Sequence, residues 1–351
     1  MAKREDMYEA QIAENPVNTR ESAIDAAFGM GIKKLYTFII NDKDFAKGAL
    51  ENFSYYSLIN GYKNTFLQDR NSDNFREGTR FEELYTLHII DTSLNSILFK
   101  YILCLEKALK SRISYLIAER YGVYTDLSDN SGLKSNDYLY RGHYSNGTGR
   151  RLNIIKELKK SIAQTRNNPI MLHYINHKNH VPPWILTTNI SYGLTIEWYN
   201  ILRGQDKTAI CDSFISPGLL SESETKEFVK KALSLTKEYR NKIAHGNRTF
   251  NIMQLPVLPK NATLLLSMGI LTEDEYNARV GQNDIFSIFL IILILLNDQY
   301  LLTNFFAECK TLFDLYPSKS IKFNGKSFFE IFGMPDNILD RILQLFKLKF
   351  T

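Results

Sequence analysis

The chain has 351 residues, of which 23% are charged and 44% are hydrophobic, and its formal net charge at pH 7 is +5. This composition excludes global disorder and predicts one large domain or two smaller ones with an ample apolar core. The small basic excess permits a nucleic-acid partner without requiring one. The three cysteines lie far apart without metal-ligand spacing, which indicates reduced thiols and a cytoplasmic protein.

The first third of the chain has helical patterns. Ala49 to Tyr62 is typical of a helix with a Tyr-rich surface, and apolar residues recur at helical spacing from Phe81 to Arg120. This second pattern predicts a long helix that could break near Asp91 and should end at Gly122. Residues 123–149 are rich in Ser, Asn, Asp and Gly, which predicts a long loop.

Further helices are predicted at Leu152 to Gln164, Ile190 to Leu202 and Glu224 to Ala244. The apolar run from Ile285 to Leu296 is much shorter than the roughly twenty residues that a bilayer requires, so we expect a helix buried on all sides and no membrane partner. No convincing series of strands follows, and the fold class is therefore predicted to be all-α.

The segment Arg240 to Asn251, RNKIAHGNRTFN, carries the most informative chemistry. An Arg guanidinium matches phosphate oxygens with its fork of donors, and a His side chain exchanges protons near neutral pH. Arg240 and His245 could together cut an RNA phosphodiester without a metal. The structural alternative is an interfacial Arg and a His that stabilises the helix dipole.

The spacing of this pair leaves its geometry open. On an ideal helix the side chains of Arg240 and His245 point roughly 140° apart. Either the last turn unwinds at Ala244 to Gly246, or the two side chains work with copies from a second subunit. A second pair, Arg166 and His173, spans a turn sequence that contains Pro169, and we interpret it as coincidental.

Three histidines, His173, His177 and His180, have the spacing of one helix face. A zinc site usually needs ligands from a second element, and none is evident, so no metal and no cofactor is expected. The alternatives are a polar surface or a contact with RNA. The sequence contains no phosphate-cradling Gly loop, no Ser-His-Asp pattern and no CxxC, which argues against NTPases, serine hydrolases and zinc fingers.

Two groups of residues are candidates for RNA binding. One is a basic helix face, which is either solvated or part of a groove, and comprises Lys156, Lys159 and Lys160. The other could stack bases and hold phosphates, or could equally be a half-buried aromatic face, and comprises Tyr55, Tyr56, Tyr62 and Lys63. Glu106 could orient an active-site cation, could sit opposite Arg112, or could pair with Lys110 on the helix surface.

Five segments, in order, resemble the bacterial abortive-infection family of the AbiD/AbiF type. They are NFSYYSLINGYKNTF (52–66), GTRFEELYTLHIID (78–91), CLEKALKSRISYLIAERYG (104–122), PPWILTTNISYGLTIEWY (182–199) and RNKIAHGNRTFN (240–251). The resemblance covers roughly residues 20 to 310. This family is linked to the HEPN superfamily of helical ribonucleases, which act as dimers with Arg and His from both subunits in one cleft.

The resemblance implies Arg240 and His245 as the catalytic pair, with Asn241 and Arg248 in support. The Gly246–Asn247 pair departs from the common family form and leaves the role of Arg248 open. The implied architecture is a HEPN-like helical core at 79–313, an N-terminal helical segment at 1–78 and a C-terminal helical appendage at 314–351.

The function expected from this resemblance is a metal-independent endoribonuclease toxin of an antiphage system. Its partners would be a substrate RNA, a small structured RNA that restrains it and a second copy of the chain, with no DNA partner. The alternative is a non-catalytic helical module that binds RNA or senses phage, in which the Arg–His pair is structural.

Overall fold

The computed structural model describes residues 42–69, 74–250 and 252–350, and within them the regular secondary structure is helical. Isolated bridges, such as Leu67 with Phe75 and Phe323 with Lys326, occur without any strand in this part of the chain. The all-α prediction is therefore confirmed. The described residues divide into two compact units, one within 42–93 with 316–331 and one within 94–315 with 332–350.

The described part of the first unit begins with helix α1, Lys43–Phe53. The side chain of Asp42 caps it by accepting from the backbone N–H of Asp44 at 3.0 Å. The helix ends at Ser54, whose φ of +57° cannot continue a right-handed helix. A π-helical turn at Tyr56–Asn60 follows, so the single helix predicted from Ala49 to Tyr62 is divided.

Helix α2 runs from Phe81 to Tyr121 without the break considered near Asp91. The carboxylate of Asp91 is buried and accepts a hydrogen bond from the hydroxyl of Tyr62 at 2.6 Å. Because this side chain has a partner within the fold, it does not compete for the backbone of its own helix. Gly122, with a φ of +80°, ends the helix where predicted.

The remaining α-helices follow after the long segment 122–150, which contains a 3-10 turn at Arg141–His143. They are α3 (Arg151–Ala163), α4 (Pro169–His173), α5 (Pro183–Leu186), α6 (Tyr192–Ile201), α7 (Gly204–Phe214), α8 (Glu222–Ala244), α9 (Lys260–Leu266), α10 (Glu273–Asn277), α11 (Ile285–Leu295), α12 (Gln299–Leu315), α13 (Phe328–Phe332) and α14 (Ile338–Phe350).

Helix α11 lies in the core of the second unit, and every one of its residues is buried. The side chain of Asp284 caps its start, where burial raises the pKa of the carboxyl group to about 6. The ammonium of Lys349 caps its end by donating to the carbonyls of Leu293 and Ile294 at 2.7 Å. The prediction of a helix buried on all sides is confirmed, and among the described helices none is long and apolar enough to cross a bilayer.

Helix α8 packs against α6, α7, α9 and α11. Its buried face includes Phe228, Ala232, Leu235 and Tyr239, which recur at helical spacing. The hydroxyl of Tyr239 donates to the carbonyl of Asn283, just before α11, at 3.1 Å. The last turns of α8 are therefore fixed to the central part of the core.

Arg341 of α14 holds Glu275 of α10 through paired hydrogen bonds of 3.0 and 2.6 Å. These bonds, opposed by desolvation and assisted by Thr272, lower the pKa of Glu275 from 4.5 to about 2. A carboxyl group whose pKa is lower in the folded state stabilises the fold above its unfolded pKa. That contribution is lost as the pH falls through the folded value.

We predict that Arg341→Met lowers the free energy of unfolding at pH 7 by about 1 to 2 kcal/mol, since the pair is partly exposed. The loss should shrink as the pH falls from 4.5 towards 2. Urea denaturation over a pH series measures it. The bond from Arg341 to the carbonyl of Ile270 supplies a part that does not depend on pH. A loss of the same size at every pH would contradict the assignment.

Candidate functional site

The candidate site lies at the C-terminal end of α8. The helix begins with a capping box, in which Ser221 and Glu224 exchange side-chain and backbone hydrogen bonds. At its end, the N–H of Asn247 donates to the carbonyl of Lys242 at 3.0 Å. Gly246 has a φ of +68°, a conformation that favours glycine and turns the chain away from the helix axis.

The helix does not unwind before His245. Ala244 is its last residue, and the N–H of His245 still donates to the carbonyl of Asn241 at 3.1 Å. The directions of Arg240 and His245 therefore keep the roughly 140° divergence of a regular helix. Of the unwinding considered at Ala244 to Gly246, the structure shows only the last part, since Ala244 stays helical and the backbone leaves the helix at His245 and Gly246.

Arg240 is positioned by a carboxylate on a different helix. Its side chain is 32% exposed, and its Nε lies 3.8 Å from Oε2 of the buried Glu106 on α2. The other carboxylate oxygen of Glu106 pairs with Nζ of Lys110 at 2.8 Å. The pairing of Glu106 with Lys110 considered from the sequence therefore occurs, and the same carboxylate also contacts Arg240.

The contact between Arg240 and Glu106 is an ion pair without a hydrogen bond. Arg240 Nε and Glu106 Oε2 are both buried, and neither has a hydrogen-bond partner among the described residues. Such buried polar atoms are uncommon and need an explanation. The nearest neutral partner of the guanidinium is Asn241, whose Oδ1 lies 3.4 Å from Nη1. The guanidinium is therefore placed by charge and keeps donors for another ligand.

His245 is exposed, and its side chain makes no hydrogen bond to any residue that the structure describes. It lies at the C-cap position of α8, where the helix dipole favours a positive charge. No buried acceptor fixes its ring. This exposure leaves both ring nitrogens accessible to a ligand or to a second protein chain.

The segment after Gly246 returns to the core. Thr249 is buried and donates from Oγ1 to Oδ1 of Asn95 on α2 at 2.5 Å. The ring of Phe250 stacks on Phe332 at 4.7 Å, and the guanidinium of Arg248 lies 5.4 Å from the Phe250 ring. Arg248 is therefore half-buried next to this anchor, a few residues beyond His245.

A cleft of about 390 Å³ opens next to the Glu106 pair. It is lined by Lys107, Lys110, Ser111, Ser114, Tyr115, Trp184, Thr187 and Thr188. Lys110 belongs to both the cleft and the ion pair, which connects the cleft to Arg240. Tyr115 and Trp184 are 65% and 38% exposed. Sequence reasoning did not select them, although Trp184 belongs to the PPW block.

The expectation of a solvated face formed by three lysines is wrong for Lys159. Lys159 is buried, and its ammonium pairs closely with the buried carboxylate of Asp137. It also donates to Thr125 Oγ1 and to the carbonyl of Asp126, each at 3.0 Å. The sequence pattern missed this because the carboxylate lies in the loop at 123–149, which folds back on α3. Lys156 and Lys160 are exposed.

The Tyr-rich candidates lie in the first unit and differ in exposure. Tyr56 is 78% exposed, whereas Tyr55 and Lys63 are partly buried. Tyr62 is buried and holds Asp91, so it has a structural role and does not offer its ring to a ligand.

The shared helix face expected for the three histidines is wrong. His173 ends α4, a π-helical turn covers Tyr174–Lys178, and Asn179 adopts a φ of +53° before His180. The rings of His173 and His177 remain 4.9 Å apart. No group of three potential metal ligands occurs among the described residues. Arg166 lies in the turn before α4, as its sequence context predicted.

Together, the fold and this site define an all-α protein with a carboxylate-held Arg and an exposed His at one helix end. The family model described as Abi-like protein matches residues 48–251, a range that includes all five resembling segments. The chain belongs to this family, which supports a role in abortive-infection defence. No curated protein and no solved structure is significantly similar to the chain.

We predict that Lys159→Met lowers the free energy of unfolding by about 3 kcal/mol, because it leaves the carboxylate of Asp137 buried without its cation. Lys156→Met, on the exposed face of the same helix, should change it by less than about 0.5 kcal/mol. Urea denaturation of the two variants measures the difference. Equal and small effects would show that Lys159 is not a structural cation.

Proposed function

We propose that this protein is an endoribonuclease toxin that cleaves RNA without a metal. The observation that carries the proposal is the pairing of a placed guanidinium, Arg240, with an exposed imidazole, His245, at one helix end. The first can hold a phosphate, and the second can move protons. Family membership supports the setting in defence, and the resemblance to HEPN ribonucleases supports the reaction.

In the proposed reaction, a His245 imidazole takes the proton of the ribose 2′-hydroxyl. The 2′-oxygen then attacks the adjacent phosphorus, and the bond from phosphorus to the 5′-oxygen breaks. A protonated His245 returns a proton to that leaving oxygen. The products are a 2′,3′-cyclic phosphate and a 5′-hydroxyl. Arg240 neutralises the charge that develops on the phosphate oxygens.

Glu106 acts in this proposal as a positioning residue. Its carboxylate contacts Nε of Arg240, and Lys110 keeps that carboxylate paired when the guanidinium binds a phosphate. Asn241 assists by accepting from Arg240, and Arg248 supplies a second cation near the same helix end. The adjacent cleft offers the rings of Trp184 and Tyr115 for base stacking, which tolerates different sequences.

The divergence of Arg240 and His245 supports an active site shared between two subunits. In a two-fold dimer the same surface meets itself, so the end of α8 would lie close to its copy. The Arg of one subunit would then work with the His of the other. A small structured RNA, bound in part through the exposed Lys156 and Lys160, would restrain the toxin in its host.

We predict that Arg240→Ala and His245→Ala each abolish growth arrest on expression, with a loss of roughly two orders of magnitude or more in cleavage rate. Arg166→Ala is the matched control, since it removes an exposed Arg from the coincidental pair and should leave cleavage unchanged. Circular dichroism should show native melting for all three. If the His245→Ala protein still cleaved RNA, His245 would not be the residue that transfers protons.

The shared site makes a second prediction. Neither single variant should cut RNA alone, but mixed dimers of Arg240→Ala and His245→Ala subunits contain one site with both native residues. Random reassociation makes about half of the dimers mixed, and each of these has one intact site of two. Mixing and annealing the two proteins should therefore restore activity, up to about a quarter of the wild-type level. A pair that works within one subunit predicts no recovery, because each chain lacks one residue.

A further inference from the structure

A second cleft, of about 460 Å³, lies in the same unit as the candidate site. It is lined by Thr148, Arg150, Glu197, Tyr199, Asn200, Lys207, Lys226, Glu227 and Lys230. The lining contains four basic side chains and two carboxylates. These residues come from the segment just before α3 and from α6, α7 and α8. The cations come from three of these parts, the segment before α3, α7 and α8.

Within the described part of the chain, two of the four cations in this cleft form ion pairs, and two lysines do not. Arg150 pairs with Glu197 at 3.1 Å, and Lys226 pairs closely with Glu222 one turn earlier on α8. Lys207 and Lys230 have no ion-pair partner among the described residues, and Glu227 is the remaining carboxylate of the lining. The cleft therefore holds an excess of positive charge.

The surroundings of Lys207 destabilise its charged ammonium form. Partial burial lowers the pKa of its ammonium, and the neighbouring charges of Lys230 and Lys226 lower it further. Cations that are desolvated and crowded in this way repel one another, and an anion placed between them would relieve that repulsion. A polar cleft with a partly buried ammonium at Lys207 and an exposed one at Lys230, both without an ion-pair partner among the described residues, is thus suited to an anionic group.

The cleft and the candidate active site share one helix. Lys230 precedes Arg240 by ten residues, which is about 15 Å along the axis of α8. Lys237 and Asn241 lie on nearly the same helix face as Lys226 and Lys230, so polar side chains connect the two places. An extended strand could contact both sites at once.

We propose that the cleft formed by Arg150, Lys207, Lys226 and Lys230 binds a backbone phosphate of the RNA strand that Arg240 and His245 cleave. The phosphate displaces no existing ion pair, because Lys207 and Lys230 are unpaired. The site reads charge and not base sequence, so it adds affinity and fixes the position of the strand. This inference rests on the proposed function for the identity of the strand.

The test uses the full chain with His245→Ala, so that RNA stays intact, and a fluorescein-labelled single-stranded RNA in fluorescence anisotropy over a salt series. Lys207→Gln and Lys230→Gln should each weaken binding and lower the slope of log affinity against log salt by about 0.7. Lys231→Gln is the matched control on the same helix, outside the cleft. It should leave the slope unchanged.

A second part of the test uses a substitution that should change RNA affinity in the opposite direction. Glu227→Gln removes the free carboxylate of the lining and should tighten RNA binding. The Lys207→Gln and Lys230→Gln proteins should also melt at or above the parent temperature, since losing a crowded positive charge does not disrupt the fold. Slopes that do not respond to Lys207→Gln or Lys230→Gln, or that respond equally to Lys231→Gln, would overturn the inference.

A thermal-shift titration with AMP separates a strand from a free nucleotide. Stabilisation by AMP that depends on Lys207, with unchanged RNA affinity, would also overturn the proposal. The outcomes distinguish the two claims of function. If the cleft variants lose RNA binding but the wild-type protein shows no RNA cleavage, the phosphate site is retained and the nuclease is rejected. If the wild-type protein cleaves RNA but the cleft variants bind RNA with unaltered affinity, the nuclease is retained and the phosphate site is rejected.

Discussion

The second unit depends on the burial of α11, since a helix without an exposed residue needs neighbours on every side. Its ends would leave backbone groups unpaired in an apolar core, and Asp284 and Lys349 satisfy them. Helix α8 packs against this element, and Tyr239 fixes its last turns next to the start of α11. The rigid core thereby determines where Arg240 and His245 lie.

Within that frame, the carboxylate of Glu106 is the main electrostatic constraint on the site. A buried charge is tolerated only when it is paired, and Glu106 contacts both Lys110 and Arg240. The guanidinium is consequently held in place by a contact within the fold. His245 is free of comparable constraints, which suits a residue that exchanges protons and, in the proposed dimer, meets a partner. One helix end therefore joins a fixed guanidinium and an accessible imidazole.

Local signals in the sequence predicted the elements best. The capping box at Ser221, the stop at Gly246 and the apolar run of α11 each depend on neighbouring residues, so they could be read directly. Contacts between distant residues could not. Lys159 is buried against Asp137, and Glu106 approaches Arg240, because of tertiary packing. No local pattern in a single sequence reveals such contacts. The same reason hid the cleft with Trp184.

The central claim is cleavage by attack of the 2′-hydroxyl at a site formed by Arg240 and His245. Mass spectrometry of RNA fragments, produced by the purified protein in the presence of a chelator, tests it most directly. The account predicts 2′,3′-cyclic phosphate ends, and no cut where the scissile nucleotide carries a 2′-deoxyribose. Fragments with 3′-hydroxyl ends, or cleavage that persists at the 2′-deoxy position, would contradict it.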